Sequence, residues 1–154
     1  MSEYSAQVIW QRQESEKFID NKYSRGHRWQ FDGGMCIDAS SSPHIVPLPY
    51  SVEQNVDPEE AFIASISSCH MLFFLNEAAK RKLTINKYED NAVGTMQQND
   101  QGKMSITEVV LNVHVEFIQT DRVSIEQMQK MHHASHEQCF IANSINGQVT
   151  TNIV

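Results

Sequence analysis

Asp57-Pro58-Glu59-Glu60-Ala61-Phe62-Ile63-Ala64-Ser65-Ile66-Ser67-Ser68-Cys69-His70-Met71-Leu72-Phe73-Phe74-Leu75 is the stretch whose reading decides the fold. Asp57 can accept from the free N–H groups of a first helical turn, and Pro58 suits the first helical position. Glu60 completes a capping-box pattern with Asp57. A helix is therefore predicted to start here and to run to about Lys82, where Lys80-Arg81-Lys82 complements the negative end of the helix dipole. Its apolar residues cover nearly the whole circumference, which predicts a buried central helix.

Outward from that helix the pattern changes period. On the C-terminal side, Ile106 to Phe117 alternates: Val109, Leu111, Val113, Val115 and Phe117 point one way, and Asn112, His114 and Glu116 the other. This predicts a strand with one buried and one polar face. Asn99-Asp100-Gln101-Gly102 supplies a turn from a weaker strand, Tyr88 to Gln97. Ser124 to Gln138 reads as a second helix, with Ile125, Met128 and His132 near one stripe. A short helical stretch, Phe140 to Ile145, follows, Gly147 ends it, and a last strand covers Val149 to Ile153. On the N-terminal side, short strands are predicted at Ala6 to Gln11, Tyr23 to Phe31 and Met35 to Asp38, with a hairpin turn at Asp32-Gly33-Gly34. Three prolines between Pro43 and Pro49 make Ser40 to Pro49 an extended loop.

Strands, a long helix, a hairpin, a helix and a strand make an α+β domain with an antiparallel sheet, one domain over 1–154. A helix apolar all round needs more cover than a small sheet supplies, so a tightly packed, intertwined homodimer is expected. The net charge of −7 argues against a globally basic nucleic-acid footprint. The longest apolar run, Phe62 to Leu75, is broken by serines and a histidine, so no membrane partner is expected. Met1 to Trp10 does not read as an export signal. Three cysteines are too few for a secreted disulfide scaffold and fit a reducing, cytoplasmic setting.

The chemistry turns on Cys69, inside the apolar helix, and Cys139, at the end of the second helix. A buried free cysteine by itself behaves as a small hydrophobe; two in these settings could instead be a redox pair. The thiolate is the reactive form, and a free thiol titrates near ~8.5. Burial raises that value, so Cys69 needs a nearby cation, Arg25 or Arg28, which Glu59 or Glu60 could hold in place. Glu59 and Cys69 are ten residues apart, roughly 15 Å of rise on an unbroken helix. Either another chain supplies the glutamate or the helix is broken, which favours a site at a dimer interface. Cys36 has no motif and reads as structural. His132, His136 and Cys139, at i, i+4 and i+7, have a spacing that can hold a transition metal, with His133 off that face.

Asp57-Pro58-Glu59-Glu60 followed by Ser68-Cys69, and later Cys139-Phe140-Ile141-Ala142-Asn143-Ser144 before a terminal strand, resemble the OsmC/Ohr family of organic hydroperoxide reductases. Tyr23-Ser24-Arg25-Gly26-His27, with Phe31-Asp32-Gly33-Gly34 and Ser41-Ser42-Pro43-His44, resembles an OsmC-like subgroup. The resemblance covers about Tyr23 to Val154. It implies an intertwined α+β homodimer, with Cys69 as peroxidatic thiol and Cys139 as resolving thiol. Arg25, with Arg28 as the alternate, matches the family's arginine, and Glu59 its glutamate; in better-known members both come from the other subunit. His70 stands where those members carry an aromatic residue, and Phe140 where they usually carry proline.

The activity so implied is thiol-dependent reduction of organic hydroperoxides, an antioxidant, peroxidase-type function in the response to oxidative stress. Arg25 would stabilise the Cys69 thiolate and then the alkoxide leaving group. A sulfenic acid on Cys69 would condense with Cys139, and an external dithiol protein, for which a lipoyl group is one form, would restore both thiols. Phe62, Ile66, Leu72 and Phe73 would wall the substrate site, with Arg28 beside them. No metal or bound organic cofactor is required. The alternative is a non-catalytic OsmC-like protein that binds a small apolar ligand at the dimer interface.

Overall fold

The computed structural model describes residues 1–118 and 121–154 and divides the chain into two compact units, Met1–Ala61 and Phe62–Val154. In the first unit, β1 (Ala6–Ile9), β2 (His27–Phe31) and β3 (Cys36–Ala39) form an antiparallel sheet in that order. Trp29 is the hinge of the register, opposite Val8 on one side and Ile37 on the other. The predicted turn joins β2 to β3: Gly34 takes a left-handed φ of 85° and donates its N–H to Phe31 O at 2.9 Å. The strand predicted from Tyr23 begins only at His27. Arg25 N–H donates instead to Tyr50 O at 2.8 Å, in the irregular segment that follows β3. That segment carries the three prolines and has no regular structure over Ser40–Pro49, as expected.

Helix α1 runs unbroken over Pro58–Lys80. Its capping box is closed: Glu60 N–H donates to Asp57 Oδ1 at 2.7 Å and Asp57 N–H to Glu60 Oε2 at 3.3 Å. It stops two residues before the predicted end. Lys82 adopts a left-handed φ of 59°, and Leu83 N–H reaches back to Ala78 O while Lys82 N–H reaches Ala79 O, both at 3.0 Å. This is a Schellman ending built on a lysine.

The second unit contains α1 from Phe62 onward, β4 (Ile85–Asp90), β5 (Val93–Gln98), β6 (Met104–Phe117), α2 (Ile125–Gln138), a single 3-10 turn (Ala142–Ser144) and β7 (Gln148–Ile153). The strand expected over Tyr88 to Gln97 is longer and is interrupted at Asn91-Ala92. Its register along β6 nevertheless continues, with Asp90 opposite Val113 and Val93 opposite Val110. Asn91 N–H still donates to Asn112 O, at 3.1 Å, so the interruption costs little pairing. β4 and β5 pair antiparallel with β6, whereas β7 pairs parallel with it, Val109 opposite Val149 through Val113 opposite Ile153. The sheet is therefore mixed at its last strand, because the connection from β6 to β7 passes through α2 as a crossover.

The alternation of β6 is realised: Val109, Leu111 and Val113 are fully buried and pack with Ile66 of α1. A second cluster joins Phe74 of α1 to Met128 and Met131 of α2. Ile125, expected on that stripe, is instead 64% exposed. Helix α1 is buried along one stripe, Ile66, His70, Phe74, Glu77 and Ala78, rather than all round. Ala64, Ser65, Ser68 and Leu72 are exposed, because the core clusters of the second unit pack on only one side of it. At 23 residues α1 is also long and apolar enough to cross a membrane by length and composition, contrary to the reading of its interrupted apolar run. The buried His70 and Glu77 on its packed stripe are those of a core helix.

Candidate functional site

Cys69 and Cys139, seventy residues apart in sequence, meet within the second unit. Cys69 lies midway along α1 and is partly exposed; Cys139 caps the C-terminus of α2 and is fully buried. The Cys69 thiol lies near enough to the Cys139 thiol to perturb it. Burial first, and then that neighbour, push the Cys139 thiol up to about 11. The backbone opposes this: Ala142 N–H points at Cys139 Sγ from 3.4 Å, and the Ile141 amide also favours the anion. The turn after α2 makes these contacts possible, with Cys139 O accepting from Asn143 N–H at 3.0 Å. Both sulfurs are free thiols.

The residues around the pair divide differently from expectation. Leu72 is 61% exposed, and Phe73 is partly buried and meets Phe140 edge to face, ring centroids 5.2 Å apart. Phe140, which the sequence reading left without a role, thus ties the turn after Cys139 to the helix of Cys69. Ile66 is not part of a substrate wall: it is fully buried under Val109, Leu111 and Val113 and has no surface to offer. Phe62 lines a different cavity of the second unit, of about 700 Å³, together with Gln97, Thr107, Asn146 and Gly147. Cys36, read as structural, is exposed at the start of β3.

The two arginines have different surroundings in the first unit. Arg28 stands on the exposed face of β2 and pairs with Asp38 of β3 at 3.5 Å, both side chains mostly in solvent. Arg25 is held by neutral groups. Its Nη1 donates to Asn21 O (3.0 Å) and Tyr23 O (2.5 Å), its Nη2 to Asn21 Oδ1 (2.7 Å), and its guanidinium carbon lies 3.8 Å from the Tyr23 ring centre. His27 fixes the backbone here: its Nε2 accepts from Trp29 Nε1–H at 3.0 Å, so its Nδ1–H donates to Arg25 O at 2.7 Å. Arg25 lines a cavity of about 460 Å³ with Val8, Trp10, Phe18, Tyr23 and His27. Neither glutamate pairs with Arg25. Glu60 is used in the capping box, and Glu59 keeps one buried carboxylate oxygen with no hydrogen-bond partner among the described residues. Since α1 is unbroken, a broken helix does not explain how Glu59 could serve Cys69.

The histidines do not form the metal site their spacing allowed. His132 shares a hydrogen bond with His70, and no group of three metal-ligating side chains converges among the described residues. His70 and His132 are both held near 4, chiefly by burial and secondarily by a neighbouring imidazole. The sequence signal for this pair was present in His70, a polar residue on the apolar stripe of α1.

The family model for OsmC-like proteins matches residues 52–154, which include α1, both cysteines and the whole of the second sheet. The chain belongs to the OsmC-like family. Among solved structures, an OsmC-like protein of unknown function from Vibrio cholerae is 56% identical over 100% of both chains, with a TM-score of 0.98. An OsmC-like protein from Mycoplasma pneumoniae shares the fold at 15% identity, covering 99% of this chain and 96% of that one, TM-score 0.73. So does the organic hydroperoxide resistance protein OhrB of Bacillus subtilis, at 18% identity, 97% and 96% coverage and a TM-score of 0.65. No match is found among curated proteins. The OsmC/Ohr resemblance read from the two cysteine motifs is thereby established at the level of family and of α+β fold.

Proposed function

We propose that this OsmC-like chain reduces organic hydroperoxides, with Cys69 as the peroxidatic thiol and Cys139 as the resolving thiol. The observation that carries the reading is the adjacency of the two free thiols, one partly exposed and one buried. The Cys69 thiolate attacks the terminal peroxide oxygen, the O–O bond breaks, and the alkoxide leaves and takes up a proton. Cys69 is then a sulfenic acid. The Cys139 sulfur attacks it, the S–O bond breaks with loss of water, and an external dithiol returns both thiols by exchange. The relative named as an organic hydroperoxide resistance protein, OhrB of Bacillus subtilis, supports this class of substrate.

Arg25 is the arginine proposed to stabilise the thiolate and the leaving alkoxide. It has no carboxylate partner in its own unit, whereas Arg28 is paired with Asp38. A homodimer would bring Arg25 and Glu59 of one chain to Cys69 of another. The exposed side of α1, with Ala64, Ser65, Ser68 and Leu72, is the surface proposed to be covered. The aromatic cavity beside Arg25 favours a second reading, a binding protein for an apolar anion, whose affinity would survive Cys69→Ser.

The deciding experiment treats reduced protein with a small excess of cumene hydroperoxide and maps its disulfides by mass spectrometry. A Cys69–Cys139 bridge is expected, together with loss of turnover in Cys69→Ser and a stable sulfenic acid in Cys139→Ser. Peroxide that is left unconsumed, or consumed with no bridge, rejects the redox pair.

A further inference from the structure

We infer that the Cys69–Cys139 disulfide is opened at Cys69, so that the reducing thiol becomes attached to Cys69 and Cys139 is the sulfur released. This rests on the redox pair proposed above and assigns the order of its return. Thiol–disulfide exchange needs a thiolate to approach the attacked sulfur on the side away from its partner. Cys139 offers no such approach. It is 0% exposed, its N–H is tied to His136 O at 3.2 Å, its carbonyl to Asn143 N–H, and its sulfur faces Ala142 N–H at 3.4 Å. Cys69, by contrast, keeps a partly exposed side chain midway along α1.

Two effects compete. Burial raises the Cys139 thiol to about 11, and a more basic thiolate leaves less readily, which favours attack on Cys139. That effect is graded, whereas lack of access stops the reaction at the buried sulfur. Access therefore decides. The amides of Ala142 and Ile141 are placed to receive the charge that appears on Cys139 when the S–S bond breaks.

The step balances. One thiolate of the reductant forms a bond to Cys69 Sγ, the Sγ–Sγ bond breaks, and its electron pair stays on Cys139, which then takes up a proton. The second thiolate of the reductant attacks its own first sulfur and releases Cys69. The dithiol is oxidised by two electrons, and the protein disulfide is reduced by two.

The test uses the full chain carrying Cys36→Ser, which removes the exposed thiol. The bridge is made with diamide, so that it does not depend on peroxide turnover. The oxidised protein is mixed briefly with mercaptoethanol, quenched in acid, alkylated with N-ethylmaleimide and mapped by mass spectrometry over early times. The expected product carries mercaptoethanol on Cys69 and maleimide on Cys139, in at least tenfold excess over the reverse. Equal adducts, or an excess on Cys139, overturn the assignment. A bridge made by diamide but not by hydroperoxide rejects the peroxidase reading and leaves the order of opening to be read from the adducts. Failure of diamide to form any bridge sinks both.

Discussion

His70 Nε2 and His132 Nδ1 lie 2.9 Å apart and join α1 to α2 inside the core, their rings 11° from parallel with centroids 5.3 Å apart. The remaining ring nitrogens, His70 Nδ1 and His132 Nε2, are buried with no hydrogen-bond partner among the described residues. Phe74 stacks on His132 at 4.4 Å. A neutral pair fits this setting, since one ring donates and the other accepts, and a charge on either would be desolvated and would repel its neighbour.

The first prediction follows from that pair. Both imidazoles titrate near 4 in the folded chain against an ordinary value of 6.5. Between these values the unfolded chain binds protons that the folded chain refuses. The pair's stabilisation is therefore complete above about pH 6.5 and is lost progressively as pH falls through about 4. Lowering one imidazole this far corresponds to a loss on the order of 3 kcal/mol for the first ring. Urea unfolding at pH 7.5 and pH 5 should show the fall, and His132→Leu should flatten it. Equal stability at the two pH values would contradict a buried neutral pair.

The second concerns Gly147, just before β7. A Cβ at this position would lie 2.7 Å from Ile106 O and 3.3 Å from Thr107 O, both backbone atoms of β6. Backbone cannot yield as a side-chain tip can, so Gly147→Ala should lower stability by about 1–3 kcal/mol. Gly33→Ala, whose Cβ would meet nothing within 4 Å, serves as the control and should change thermal unfolding little. Identical melting of the two variants would count against the parallel docking of β7.

The third tests the proposed dimer through Leu72, 61% exposed on α1. Leu72→Lys should place a charge in the covered surface and shift the protein to monomer in light-scattering chromatography, with circular dichroism unchanged. A wild-type chain that is monomeric at micromolar concentration would remove the dimer, and with it the supply of Arg25 and Glu59 from a second subunit.

Local patterns were legible in the sequence because their causes are local. Asp57 and Glu60 close a box across a single turn, Asn99 and Gly102 make a turn within four residues, and β6 alternates because one of its faces is dry. The left-handed Lys82 has no such signal, since lysine adopts that conformation rarely, and so α1 ends at Lys80, short of its predicted end. The interruption at Asn91-Ala92 leaves no mark in the pattern from Tyr88 to Gln97, because the pairing register continues across it.

By itself the sequence determined the helix of Cys69, the strand behind it, the two thiol motifs and the family that carries them. Tertiary structure alone decided that Cys69 and Cys139 are neighbours, that Ile66 belongs to the core, that His132 answers to His70, and that β7 runs parallel to β6. Capping and periodicity are settled within a few residues. Which side chains meet across seventy residues depends on how α1 and α2 pack on one sheet, and no short stretch of chain contains that information.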